Sequence, residues 1–196
     1  MRTLVIQAGG KSRRMGQNKA LMPFCGEPLI ERVLRCTSGL ADEIFITTDL
    51  LGKLDYLGLP LISDILPGKG ALGGLYTALA TAANSEVIMV ACDMPFVNPR
   101  LLLTECDLLS FTQTDTVIPV SLFGNEPFHA VYRRENCFTA VQRSLDAGYF
   151  RLSSWLSKVW VREMAMAEVA VYDPDFNAYK NVNTPLEFTE VESLAR

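Results

Sequence analysis

The segment Gln7-Ala8-Gly9-Gly10-Lys11-Ser12-Arg13-Arg14-Met15-Gly16-Gln17-Asn18-Lys19 gathers glycine and cationic side chains directly behind a short apolar run. Glycine lets backbone N–H groups approach an oxyanion closely, and Lys11, Arg13, Arg14 and Lys19 supply positive charge, so the chemistry on offer is the holding of a triphosphate. The spacing is not that of a P-loop, since no Gly-Lys-Ser/Thr stands at the required distance, and it lacks the G-x-G-x-x-G of dinucleotide folds. By composition alone, a basic solvated turn would look the same.

A second candidate is Asp93, in Cys92-Asp93-Met94-Pro95 after the continuous apolar run Glu86–Ala91. A carboxylate at the C-terminal end of a strand buried on both faces stands where a hard cation could bridge protein and phosphate. The alternative is that Asp-x-Pro only opens a turn through Asx hydrogen bonding. Cys92 alternates to the opposite side of its strand and reads as packing rather than as a nucleophile. His129 is the single histidine. On a strand it reads first as a core residue, and it is kept only as a candidate on the acceptor side.

The elements that must position these residues follow an alternating pattern. Thr3–Gln7 reads as a first strand, residues 28 to 39 as a helix opened by Pro28 and stopped by Gly39, and Glu43–Thr48 as a second strand. Gly70–Ala83 reads as a helix entered through a run holding Pro67, Gly68, Gly70, Gly73 and Gly74. Beyond Glu86–Ala91 come a helix near Asn98–Ser110, strands near Thr116–Val120 and Phe128–Tyr132, and helices near Glu135–Ala147 and Ser153–Val159. A strand at Glu168–Tyr172 and a helix from Thr184 complete the expectation. Such alternation predicts an α/β fold with a mostly parallel sheet, whose ligands bind beyond the C-terminal ends of the strands.

Composition narrows the function further. The chain has 196 residues, 49% hydrophobic and 20% charged, which suits one packed domain over residues 1–196. Its net charge of −4 argues against an electrostatic grip on nucleic acid or an anionic membrane, so a bound phosphate must be held locally. Five cysteines form an odd set with no C-x-x-C pair, which points to reduced thiols in a cytoplasm. The apolar N-terminal run gives way at once to glycine and charge, so it reads as a strand and neither as a signal peptide nor as a membrane span.

The loop, read as A-G-G-x-S-x-R-M-G-x-x-K-x-L after a first strand, resembles the nucleotidyltransferases that activate sugars and cofactors. Within them the chain is most similar to the molybdenum cofactor guanylyltransferase family, also called the molybdopterin-guanine dinucleotide biosynthesis protein A family. The stretch from Asp64 to Leu75 resembles that family's D-x-x-P-G-x-G-P-L-x-G-I, and Ala91 to Phe96 its x-C-D-M-P-F. Residues 126–132 resemble its P-L-H-A-L-Y strand, and residues 179–185 its F-x-N-V-N-T-P ending. Together these motifs span nearly the whole chain.

The resemblance implies a Rossmann-like three-layer α/β/α sandwich of the nucleotide-diphospho-sugar transferase type. It also implies Mg²⁺ dependence and transfer of GMP from GTP to molybdopterin, with release of pyrophosphate. Carried over by residue, it sets the nucleotide against Gln7, Ala8, Gly9, Gly10, Ser12 and Gly73. Lys19 lies near the phosphates, Asp64 near base or ribose, and the metal on Asp93. Lys19 and Arg14 would draw charge from the leaving pyrophosphate. Asn181 and Asn183 would meet pterin or metal, or an Asn would only cap the last helix. Arg151 would face the acceptor or make a surface salt bridge.

Implied partners are GTP, molybdopterin, and molybdoenzymes or other proteins of the same cofactor's biosynthesis. Gln7 stands where the family usually has Leu, Asn18 where Asp is common, and Ala71 where Pro precedes Leu72. The loop is also one residue shorter. These departures bear on nucleotide choice and loop path, leaving a cytidylyltransferase acting on the same pterin, or a non-catalytic nucleotide-binding module, as alternatives.

Overall fold

The computed structural model describes residues 1–9 and 18–195. Its first strand is β1 (Arg2–Gln7), and a 3-10 turn capped by Asn18 spans Lys19–Leu21. The small hairpin β2 (Pro23–Phe24) and β3 (Glu27–Pro28) then feeds α1 (Leu29–Thr37), and β4 (Glu43–Thr47) and β5 (Leu61–Ile62) follow. Next come α2 (Gly70–Thr81), β6 (Glu86–Ala91), α3 (Pro99–Thr112), β7 (Thr116–Ser121), β8 (Gly124–Asn125), β9 (His129–Arg133) and α4 (Arg134–Asp146). The chain closes with β10 (Val161–Met164), α5 (Met166–Val169) and α6 (Pro185–Ser193).

The sheet order is β10-β7-β9-β6-β1-β4-β5, with β8 paired to β7. Strand β1 lies near the middle and runs parallel to both β4 and β6. Strand β9 is antiparallel to β6 and to β7, so the expected mostly parallel sheet carries one reversed strand among its central members.

Alternation along the strands splits the core into two layers. Leu4 and Ile6 of β1 and Ile88 and Val90 of β6 pack with Ile30 and Val33 of α1 and Leu101, Leu102 and Leu109 of α3. Val5, Phe45, Val87 and Met89 point the other way, onto Leu72, Leu75 and Leu79 of α2 and Val141 of α4. Both faces of the sheet are therefore apolar, as a helix-covered sheet requires. The expected three-layer α/β/α sandwich is what forms.

Two expectations fail, both after α4. Residues 153–159 form no α-helix: the chain makes successive i to i+3 turns with a 3-10 turn over Leu156–Lys158. Trp155 is wholly buried against Tyr132, with ring centroids 5.9 Å apart, which holds the segment to the α4 side before it extends into β10. The strand expected at Glu168–Tyr172 is instead the short helix α5. There the Glu168 carboxylate turns back to accept the Ala165 N–H at 2.9 Å and also pairs with Arg162. The edge strand is β10, which pairs in parallel with β7.

Candidate active site

The register brings three strand ends level, because Gln7 of β1 pairs with Thr47 of β4 on one side and with Ala91 of β6 on the other. The loops leaving these ends carry Ala8 and Gly9, Thr48 and Asp49, and Cys92 and Asp93. They converge on a cleft of 490 Å³ whose lining also includes Asn18, Lys19, Asp64, the turn at Gly68 and Gly70, and Phe128. Gly68 and Gly70 have φ of +81° and +62°, the left-handed region that a side chain would strain. Through that turn α2 aims its N-terminal end, with the positive pole of its dipole, at the cleft.

At the mouth sits a three-membered polar cluster. The Lys19 ammonium donates to Asp93 Oδ2 at 2.9 Å and to Asn183 Oδ1 at 2.7 Å. Lys19 is set there by Asn18, whose side chain caps the 3-10 turn by accepting the Ala20 N–H at 3.0 Å. The amide therefore does the capping that an aspartate would do. Asn183 is brought in from the far end of the sequence because the Val182 N–H donates to the Asp93 carbonyl at 3.1 Å.

The Asp93 carboxylate is not used up in its own turn but points at Lys19, with side chains 21% and 16% exposed, so it is reachable by a ligand. Asn183 is likewise not the cap of α6. Thr184 is the cap, accepting the Glu187 N–H at 3.2 Å while the Glu187 carboxylate accepts the Thr184 N–H at 3.1 Å. Asn181 turns away, donating to the Tyr179 carbonyl at 3.2 Å.

Asp64 lines the cleft, and burial together with neighbouring Asp49 raises its carboxyl above the usual range. Asp49 is a residue the sequence reading missed, although its place two residues past β4 was a usable signal. Cys92 is buried, and that burial pushes its thiol far up, which suits packing and not nucleophilic attack. Gly73 lies away from the cleft wall. A Cβ there would come 2.8 Å from Lys69 Cβ and 3.2 Å from the Leu66 carbonyl, so its missing side chain lets α2 pack on its own entry turn.

His129 requires a correction. It is fully buried, 3.0 Å from Glu105 through Nδ1, while Nε2 accepts the Asn98 N–H at 3.4 Å and the ring abuts Tyr179. With both nitrogens engaged and no exposed surface, it cannot touch an acceptor in this conformation. Burial pushes its partner Glu105 up to about 7, against the pull of His129. Arg151 is exposed and makes no ion pair among the described residues, while the adjoining Phe150 holds the Lys69 ammonium 4.3 Å above its ring. Gly10, Ser12 and Arg14 lie outside the described residues.

The cleft at the switch between parallel strands, its glycine turn and its lysine–carboxylate pair define an α/β nucleotide-binding transferase architecture. A family model for the MobA-like NTP transferase domain matches residues 4–162, and the chain belongs to that family. It is 32% identical, over 92% of its length and 90% of the relative's, to a probable molybdenum cofactor guanylyltransferase of Natranaerobius thermophilus. To the molybdenum cofactor guanylyltransferase of Desulfosudis oleivorans it is 31% identical, covering 99% and 96% of the two chains. Among solved structures, molybdopterin-guanine dinucleotide biosynthesis protein A from Archaeoglobus fulgidus superposes with a TM-score of 0.84 at 24% identity over 98% of each chain. A 2-C-methyl-D-erythritol 4-phosphate cytidylyltransferase from Thermus thermophilus superposes at 0.70 with 15% identity over 98% of each chain. At these identities the structural likeness establishes the fold.

Proposed function

We propose that this chain transfers GMP from GTP to the molybdopterin form of the molybdenum cofactor, releasing pyrophosphate and forming the guanine dinucleotide. The observation that carries the reading is the Lys19–Asp93–Asn183 cluster at the mouth of the strand-end cleft, in a chain whose full-length relatives bear the guanylyltransferase name.

Charge in the cleft supports a cation requirement. Among the described lining residues the carboxylates Asp49, Asp64 and Asp93 outnumber the one ammonium, Lys19, which reaches only Asp93 among them, and a cleft so charged would repel a triphosphate unless a divalent cation came with it. Oxygen donors only, with one carboxylate reachable at Asp93 and the Asn183 carbonyl beside it, suit Mg²⁺, which keeps several waters and bridges to phosphate. Bound there, Mg²⁺ would neutralise charge developing on the phosphates.

No protein nucleophile is needed, because catalysis of this kind is positioning and charge neutralisation. Lys19 would exchange Asp93 for a phosphate oxygen when the nucleotide enters, and Arg14 would share the charge of the departing pyrophosphate. Gln7, Ala8, Gly9, Gly10 and Ser12 would carry the nucleotide, with Asp64 near its ribose or base. Asn183 and Arg151 would meet the acceptor, handed on by other proteins of cofactor assembly. The cysteines are free, which supports a cytoplasmic setting. Among the described residues no helix is long and apolar enough to cross a membrane.

The test is pyrophosphate release with Mg²⁺ and molybdopterin, comparing GTP, CTP and ATP. GTP is expected to exceed the others in kcat/KM by about a hundredfold, a ratio within reach of buried polar groups built for one base edge. A preference for CTP would make the chain a cytidylyltransferase, and binding without turnover would make it a nucleotide-binding module.

A further inference from the structure

Gln7 is the last residue of β1 and its side chain enters a space that only glycine leaves open. A Cβ on Gly74 of α2 would lie 1.9 Å from Gln7 Nε2 and 2.6 Å from both Cδ and Oε1, so the carboxamide rests directly on the Gly74 backbone. Its Oε1 is buried with no hydrogen-bond partner among the described residues, whereas Nε2 makes no hydrogen bond to a described residue and is not one of the fully buried unpaired atoms. Nε2 is also the atom nearest to where a Gly9 side chain would stand, at 3.8 Å, which puts the amide nitrogen on the cleft side. The unpaired Nε2 can therefore give its N–H only to an acceptor that comes from outside the described fold.

The phosphate end of a nucleotide is drawn to Lys19 and the cation at the mouth. Gln7 is neutral and carries a donor and an acceptor side by side, which matches the edge of a base and not an oxyanion. The amide nitrogen facing the cleft calls for a carbonyl oxygen. We infer that the Gln7 carboxamide reads the guanine base by donating from Nε2 to O6, making Gln7 a specificity-determining residue against bases that lack that oxygen. Adenine offers a donor at the corresponding position and would leave the amide facing another N–H. The role of Gly74 follows directly, since any side chain there would expel the reading group from its seat.

This inference rests on the proposed GTP-dependent transfer, and calorimetry with the full chain and Mg²⁺ separates the two. The probes are GTP and 2-aminopurine riboside triphosphate, which lacks O6, with CTP as a reference. The native protein is expected to prefer GTP to the 2-aminopurine nucleotide. In Gln7→Met and Gln7→Leu that preference should shrink about tenfold, the size of one hydrogen bond, with the melting temperature of the free protein held or raised. Equal binding of the two purine nucleotides by the native protein, or an unaltered ratio in either folded variant, would overturn the role of Gln7 while leaving GTP as the donor. Tighter binding of CTP than GTP would remove the proposed function and the inference together.

Discussion

The two ends of β1 open onto cavities of nearly the same size, 490 Å³ at the C-terminal end and 480 Å³ at the N-terminal end, yet they differ in how their polar groups are settled. At the N-terminal end the Arg2 N–H donates to Asp42 at 2.8 Å, the Arg2 guanidinium to Glu86 at 3.1 Å, and Ser110 to Glu86 at 3.3 Å. Every charged side chain there has a partner within the protein, and the groups satisfy one another. At the C-terminal end the Gln7 carboxamide oxygen has no partner among the described residues, three carboxylates line the cleft with one lysine that reaches only Asp93 among them, and two glycines hold a left-handed turn open. Volume does not distinguish a site from a surface hollow here. Unfinished hydrogen bonding and charge do.

The contrast is broken most severely by removing Asp93. Asp93→Ala should lower transfer by about 10²–10³ or more, as loss of a preorganised charged group does, while circular dichroism stays native. Turnover within about threefold of the native value would reduce Asp93 to a turn residue. Lys19→Ala should weaken GTP binding by about 1.5–3 kcal/mol in calorimetry at moderate salt, the range for charge-assisted contacts. An unchanged dissociation constant would take Lys19 out of the site.

Gly74→Ala should move the flexible end of Gln7 with a stability change under about 1 kcal/mol, because the clashing atoms can rotate away, and should weaken GTP binding about five- to tenfold. In a Gln7→Ala background the same substitution should no longer affect GTP, which a double-mutant cycle would report. The smallest effect belongs to the opposite end. Arg2→Ala removes a partly exposed ion pair and should cost no more than about 1 kcal/mol in chemical denaturation, with kcat/KM unchanged. A large loss of transfer from Arg2→Ala would mean that the N-terminal cavity takes part in the chemistry.

How much of this was readable beforehand depended on where the signal lay. The strands β1, β4 and β6 and the helices α1 to α4 announced themselves through period and punctuation, because both faces of the sheet are buried and each helix has a clear start. Asp93 was legible as an acid at a strand end, and Lys19 through its loop. What escaped was either set by distant residues or too short to show a period. The fate of 153–159 was decided by Trp155 reaching Tyr132, which leaves no local pattern, while α5, held by Glu168 folding back on Ala165 and Arg162, is a single turn with no room for helical periodicity. His129 reads first as a core residue and is kept as an acceptor-side candidate only until Glu105 of α3 is seen to take its ring nitrogen. The meaning of Gln7 likewise required knowing that Gly74 lies beneath it.

The tie between Lys19 and Asn183 spans 164 residues of sequence. Bringing such distant segments together has a loop-closure cost that local contacts do not share, and long-range contacts form late as a rule. On the ribosome the strand-end cleft can take shape from β1, β4 and β6 well before residue 183 has emerged, but its polar mouth cannot. The segment that pairs Val182 with Asp93 also lies beyond residue 162, where the family match stops. A nascent chain would thus pass through a stage with a built floor and an unassembled rim, and competence to hold the acceptor would arrive only with the last turn of the chain around the sheet.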